Sequence, residues 1–170
     1  MKKLFMVAII LMVGVSTAMA QKDVKAVGVN VNYGTEISNI GFGAKFQYGI
    51  TDVIRIEPSF NYFLDKEDKS LWDASINAHY LLNVAENIKF YPLAGLGYGK
   101  VKMEAWSVDM NGDGKPEDSE SMNNGEFIVN LGVGTEYQLN DKWAVGAEIK
   151  YQIINNFNQL VAGVGLTYKF

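Results

Sequence analysis

From Ala26 onward, apolar and polar residues alternate along the chain with a period of two. Val27, Val29, Val31 and Tyr33 share one face and Gly28, Asn30 and Asn32 the other. Successive side chains of a strand point to opposite sides, so this period predicts strands, whereas a helix would show a period near 3.6. The pattern recurs in Ile40 to Tyr48 and Ile54 to Tyr62, then in Trp72 to Tyr80 and Ile88 to Tyr98. Three further segments, Phe127 to Tyr137, Trp143 to Tyr151 and Leu160 to Phe170, complete a set of eight. Each is roughly 9 to 11 residues long, the length a tilted strand needs to cross a bilayer.

Connection lengths carry a second signal. Short turns are expected around Gly49 to Asp52, Asn83 to Asn87 and Asn140 to Lys142; longer loops are expected at Gly34 to Asn39, Leu64 to Ser70, Glu104 to Asn124 and Ile154 to Gln159. Short turns at one end and longer loops at the other describe an up-and-down transmembrane barrel, the fold class expected here: all-β, closed, antiparallel, about eight strands.

Alternation does not say which face is outside, because a soluble barrel alternates with its apolar face inward. Three features of the sequence choose. The polar face is rich in glycine (Gly41, Gly43, Gly95, Gly97, Gly132, Gly134, Gly163, Gly165), which suits a cramped interior. The same face carries Lys45, Arg55, Glu57, His79, Lys89, Glu136, Glu148 and Lys150, mixed charges that can neutralise one another in a narrow lumen. Aromatics also mark the ends of the apolar stripes: Tyr48, Tyr80, Phe90, Tyr137, Trp143 and Phe170 toward the turns, Tyr33, Tyr62, Trp72, Phe127 and Tyr151 toward the loops. Two such girdles are expected where a barrel meets the two membrane interfaces.

The terminal alternation Leu166, Tyr168, Phe170, the YGITD and LNDKW turns and the inward Gly-x-Gly pairs resemble the small OmpA/OmpX-like outer-membrane barrels. The resemblance covers Gln21 to Phe170. It implies a bacterial outer-membrane location, surrounding outer-membrane lipid, and assembly by the outer-membrane barrel assembly machinery. A periplasmic domain is not expected, so peptidoglycan binding is not carried over.

The first residues read differently. Lys2 and Lys3 precede an apolar run from Leu4 to Val15 and the small-residue ending Ala18-Met19-Ala20. This is the pattern of a secretory signal peptide over residues 1–20, with the barrel domain over 21–170. Removal of the two lysines takes the net charge from −4 to −6. An acidic chain without a basic patch argues against nucleic-acid partners. With no cysteine, a disulfide framework, a thiolate metal site and a lipoprotein anchor are excluded.

Candidate chemistry is sparse. His79 is the sole histidine, and Ser75 on the same strand face lies four residues away, about 13 Å at the usual rise, too far for a nucleophile and base to meet. No catalytic residue is therefore expected, nor any cofactor apart from a metal. The one specific string is Asp109-Met-Asn111-Gly-Asp113-Gly114-Lys115-Pro-Glu117-Asp-Ser-Glu120, which fits the calcium-loop pattern D-x-[DN]-x-[DN]-G-x5-E. Asp109, Asn111, Asp113, Lys115 through its carbonyl, and Glu120 are the candidate calcium ligands. The expected role is a non-enzymatic outer-membrane protein that is structural or presents its loops to an extracellular ligand, in the manner of an adhesin. The alternatives are a small porin-like channel and, behind it, a lipid-modifying enzyme.

Overall fold

The computed structural model describes residues 22–66, 69–103, 125–155 and 158–170. The expected signal peptide, residues 1–20, and the string Asp109 to Glu120 lie outside the described residues. Nine strands are formed: β1 Lys25–Gly34, β2 Asn39–Gly49, β3 Ile54–Lys66, β4 Lys69–Tyr80, β5 Leu82–Ala85, β6 Ile88–Met103, β7 Gly125–Gln138, β8 Trp143–Ile154 and β9 Gln159–Lys169. Every pairing is antiparallel. β1 pairs with β9, and β4 pairs with β6, so the sheet closes on itself. β5 continues the course of β4 against β6 beyond a break at Leu81, which makes eight staves in all. Closure leaves no row of unpaired backbone groups, a condition any sheet must meet in hydrocarbon.

The faces fall as the alternation requires. Val29, Phe42, Ile76, Leu96 and Val164 are exposed on the outside, while Arg55, Glu57, Asn61, His79, Asn130 and Lys150 are buried within. The strands run further than the alternation does: β3 has 13 residues, β7 14 and β6 16. Leu64 to Ser70, expected as a loop, is largely strand, with Lys66 paired to Lys69 after a register shift beyond Phe63. Part of the expected turn Asn83 to Asn87 is likewise strand β5. The reason is physical. Backbone pairing does not depend on which side chains alternate, so the ladder continues past the point where the apolar stripe ends.

Two turns are fixed by side chains at the end where the chain termini meet. Thr51 Oγ1 accepts from the amides of Val53 (3.3 Å) and Ile54 (2.9 Å), and Asn140 Oδ1 from those of Lys142 (3.0 Å) and Trp143 (2.9 Å). Such turns mimic a backbone turn with a short polar side chain.

Apart from the register shifts beyond Phe63 and beyond Asn83, the wall has two gaps that keep register, each at a proline. β2 and β3 pair through Lys45↔Ser59 and resume at Tyr48↔Ile56, skipping Phe46 opposite Pro58. The stave of β4 and β5 pairs with β6 through His79↔Leu93 and resumes at Leu82↔Phe90, skipping Tyr80 opposite Pro92. Register is conserved across both gaps. Proline has no N–H to donate, so each gap is the ladder bond that its ring removes.

Candidate functional site

Among the described residues, polar chemistry gathers in the lumen, which is built in layers. At the loop end Ile37, Phe63, Leu71 and Val161 form a buried apolar cluster. Phe63 and Leu71 face inward because they extend the inner rows of β3 and β4 past the aromatic girdle. The opposite end carries a second cluster of Leu81, Tyr91 and Leu93.

Below the loop-end cluster lies a network of amides. Asn30 and Asn32 donate to Asn61 Oδ1 (3.1 and 2.9 Å), Asn61 donates to Asp73 Oδ1 (3.0 Å), and Ser75 Oγ donates to the same oxygen (3.1 Å). A parallel chain runs from Gln159 to Gln152 (2.7 Å), Gln152 to Asn130 (3.3 Å) and Asn130 to Asn77 (3.0 Å). Side chains this short reach one another because the facing positions are glycine. A Cβ on Gly43 would stand 2.2 Å from Asn61 Oδ1, and one on Gly134 would stand 2.3 Å from the Tyr91 ring.

Toward the turn end the lumen holds the charges. Arg55 Nη1 pairs with Glu136 Oε2 at 2.7 Å, and Lys169 Nζ reaches Glu136 Oε1 at 3.3 Å. Glu57 is held by Lys45 Nζ (3.3 Å) and by Gln47 Nε2 (2.7 Å). The ring of His79 stacks on Tyr91 with centroids 4.6 Å apart, and the Arg55 guanidinium lies 5.1 Å from the centre of the same Tyr91 ring. Tyr91 Oη in turn donates to Glu148 Oε2 at 3.3 Å. Of the residues expected inside, Lys45, Arg55, Glu57, His79, Lys89, Glu136, Glu148 and Lys150 all face the lumen. Tyr91 and Leu93 follow the alternation of their strand, while Lys169 and the loop-end cluster continue the inner rows beyond the girdle.

The arrangement can do little chemistry. Ser75 is engaged with Asp73, and His79 with Arg55 and Glu57, so the two do not form a nucleophile and its base. Glu57, His79 and Glu148 bring donor atoms within 4.8 Å of one another, a spacing that could suit a metal ion. The hydrogen bonds argue otherwise. His79 Nδ1 lies 3.1 Å from Arg55 Nη2, and a guanidinium only donates, so Nδ1 must accept. A metal-bound histidine donates through its other nitrogen, and Glu57 is already neutralised by Lys45. Glu57 belongs to the ion-pair network, Glu148 accepts from Tyr91, and His79 accepts from Arg55.

Free space inside is correspondingly small. A cavity of about 20 Å³, lined by Asn30, Lys45, Ser59, Glu148 and Lys150 among others, has room for about one water.

A closed antiparallel barrel with a polar, filled interior and an apolar exterior is a transmembrane β-barrel of the eight-stave class. The chain matches the family described as outer membrane protein beta-barrel domain over residues 5–170, and it belongs to that family. Its place is the bacterial outer membrane. No curated protein matches the sequence. Among solved structures, the N-terminal β-barrel domain of Pseudomonas aeruginosa OprF is similar with a TM-score of 0.69 at 17% identity, over 88% of this chain and 98% of that one. Neisserial surface protein A is similar with a TM-score of 0.61 at 14% identity, over 86% of this chain and 96% of that one. Ail, the attachment invasion locus protein of Yersinia pestis, gives 0.59 at 17% identity, over 86% and 97%. At these identities the likeness is one of fold.

Proposed function

We propose that this barrel is a non-enzymatic outer-membrane protein that acts through its surfaces, stabilising the envelope and presenting its loops to an extracellular ligand in the manner of an adhesin. The observation that carries this reading is the filled lumen. Apolar clusters lie toward both ends, and amides and ion pairs occupy the middle, which supports a role other than conduction or catalysis inside. Eight staves enclose only enough room for side chains. Activity then falls to the outer surface and the loops. The fold relative Ail is the attachment invasion locus protein of Yersinia pestis, and it has been crystallised with the heparin analogue sucrose octasulfate.

Planar-bilayer recordings test the main alternative, a small porin-like channel. The expected result is no sustained conductance from the folded protein; stable unitary openings would overturn the reading. A lipid A mass spectrum from cells with and without the protein tests the enzymatic alternative, with an unchanged spectrum expected. Adhesion of expressing cells to immobilised glycosaminoglycan or host-cell monolayers, lost on loop deletion, is the positive arm. Assembly by the barrel assembly machinery belongs to the same proposal, and depletion of that machinery is expected to leave the chain unfolded in the periplasm.

A further inference from the structure

The outer face of the barrel is not uniformly rough. Across β1, β2, β3, β8 and β9, on the half nearer the short turns, lies a groove of about 800 Å³. Val29, Ala44 and Pro58 contribute to its lining, as do Phe46, Trp143 and Tyr168. Trp143 and Tyr168 pack together with ring centroids 4.9 Å apart, as aromatic pairs do at the polar boundary of a membrane.

The mouth of the groove is charged. Lys25 is exposed and sits one outward step beyond Val27 on β1, in register with Tyr48 on β2. Tyr48 Oη donates to Asp23 Oδ1 at 3.0 Å, which fixes a carboxylate beside the same register position. By strand register, Lys25 and the Asp23 carboxylate therefore lie one outward step beyond Val27, the lining residue of β1 nearest the turns.

We propose that this groove holds one zwitterionic phospholipid of the periplasmic leaflet, with an acyl chain in the groove, its phosphate on Lys25 and its amine on Asp23. The leaflet follows from the short turns, which face the periplasm in outer-membrane barrels. Burial from water supplies no preference here, because the surrounding lipid is equally apolar, so selection rests on packing into the groove and on the headgroup contacts. A lipid held in this way survives extraction that strips the annulus.

The test is native mass spectrometry of the folded full-length mature chain in mild detergent, titrated with phosphatidylethanolamine and, separately, with phosphatidylglycerol. One bound phosphatidylethanolamine per barrel is expected. Lys25→Gln weakens its binding about fivefold, the worth of one lysine near a lipid surface. Ala44→Phe, which fills the groove from the lipid side and leaves the lumen untouched, abolishes it. Ala162→Phe, an outward substitution elsewhere on the wall, leaves it unchanged. If no lipid is retained, if phosphatidylglycerol binds equally well, or if all three variants behave alike, the contact is annular only and the proposal fails. A dimer in place of a lipid adduct, lost on Ala44→Phe, would assign the groove to a second copy and overturn it equally.

Discussion

Arg55 and Glu136 stand 81 positions apart in sequence, yet their side chains meet at 2.7 Å inside the barrel, one from β3 and the other from β7. Both are buried, and neither strand is a neighbour of the other in the wall. Removing one partner of such a pair strands the other charge, at a cost of about 3–5 kcal/mol. Arg55→Leu is expected to lower the unfolding free energy of the refolded barrel by up to that amount, with Lys169 left as a partner for Glu136. Adding Glu136→Gln is expected to recover part of the loss, so the double variant is less unstable than the two single changes sum to. Unfolding in micelles followed by tryptophan fluorescence measures both.

Two inward glycines of neighbouring strands should respond to alanine with opposite signs. At Gly132 a Cβ would lie 2.4 Å from the Ile149 carbonyl oxygen and 2.7 Å from Lys150 Cα, backbone atoms that cannot step aside. Gly132→Ala is expected to cost about 1–3 kcal/mol through overpacking. At Gly146 the nearest atom is the Thr135 carbonyl oxygen at 3.4 Å, an ordinary contact. Gly146→Ala is expected to be neutral or to stabilise by up to about 1 kcal/mol, because it restricts the unfolded chain. The same unfolding assay separates them.

A third substitution reads the membrane itself. Val164 lies outward near the middle of β9 and is 60% exposed. In water such a surface site would tolerate arginine within about 0.5 kcal/mol. In a bilayer Val164→Arg should cost about 2–4 kcal/mol near the midplane. The expected outcome is a reduced yield of the fast-migrating folded band on unboiled gels after refolding into vesicles, with little change after refolding in small, deformable micelles.

How much of this was legible beforehand depends on what each residue faces. Val29, Phe42 and Val164 could be assigned outward, and Arg55, Glu57 and Lys150 inward, because one face in lipid and one in a polar lumen enforce a strict alternation. Phe63 and Leu71 could not be placed so easily. They lie past the girdle, where apolar residues on the inner row interrupt the pattern, and only the register of β3 against β4 shows that they meet Ile37 and Val161 as a lid of packed side chains. The Arg55 to Glu136 pairing was equally hidden, since alternation gives a residue's face and says nothing of which distant strand it will reach.

The string Asp109 to Glu120 remains a proposal from sequence, and it has a direct test. Its acidic residues repel one another and its spacing offers the oxygen ligands a calcium ion takes, so an affinity of about 10⁻⁴ to 10⁻³ M is expected, in the range of extracellular modules. Isothermal titration of the purified barrel should show heat at millimolar calcium that Asp109→Ala and Glu120→Ala each abolish. Intact-mass measurement of the exported protein checks the neighbouring proposal that the mature chain begins at Gln21.

The prolines opposite Phe46 and Tyr80 divide the hoop unequally. The two seams they weaken bracket the hairpin of β3 and β4 on either side near its turn end, while the closure of β1 on β9 runs without a break over nine consecutive pairs. Opening fluctuations should therefore begin at these seams, ahead of the unbroken ladders, of which β6 against β7 is the longest at 13 consecutive pairs. In deuterium-exchange terms, amides beside Pro58 and Pro92 are expected to label well ahead of those in the middle of β1. A closed cylinder with two deliberate weak joints has a preferred direction in which to flex, and that direction carries Arg55, Glu57 and His79 with it.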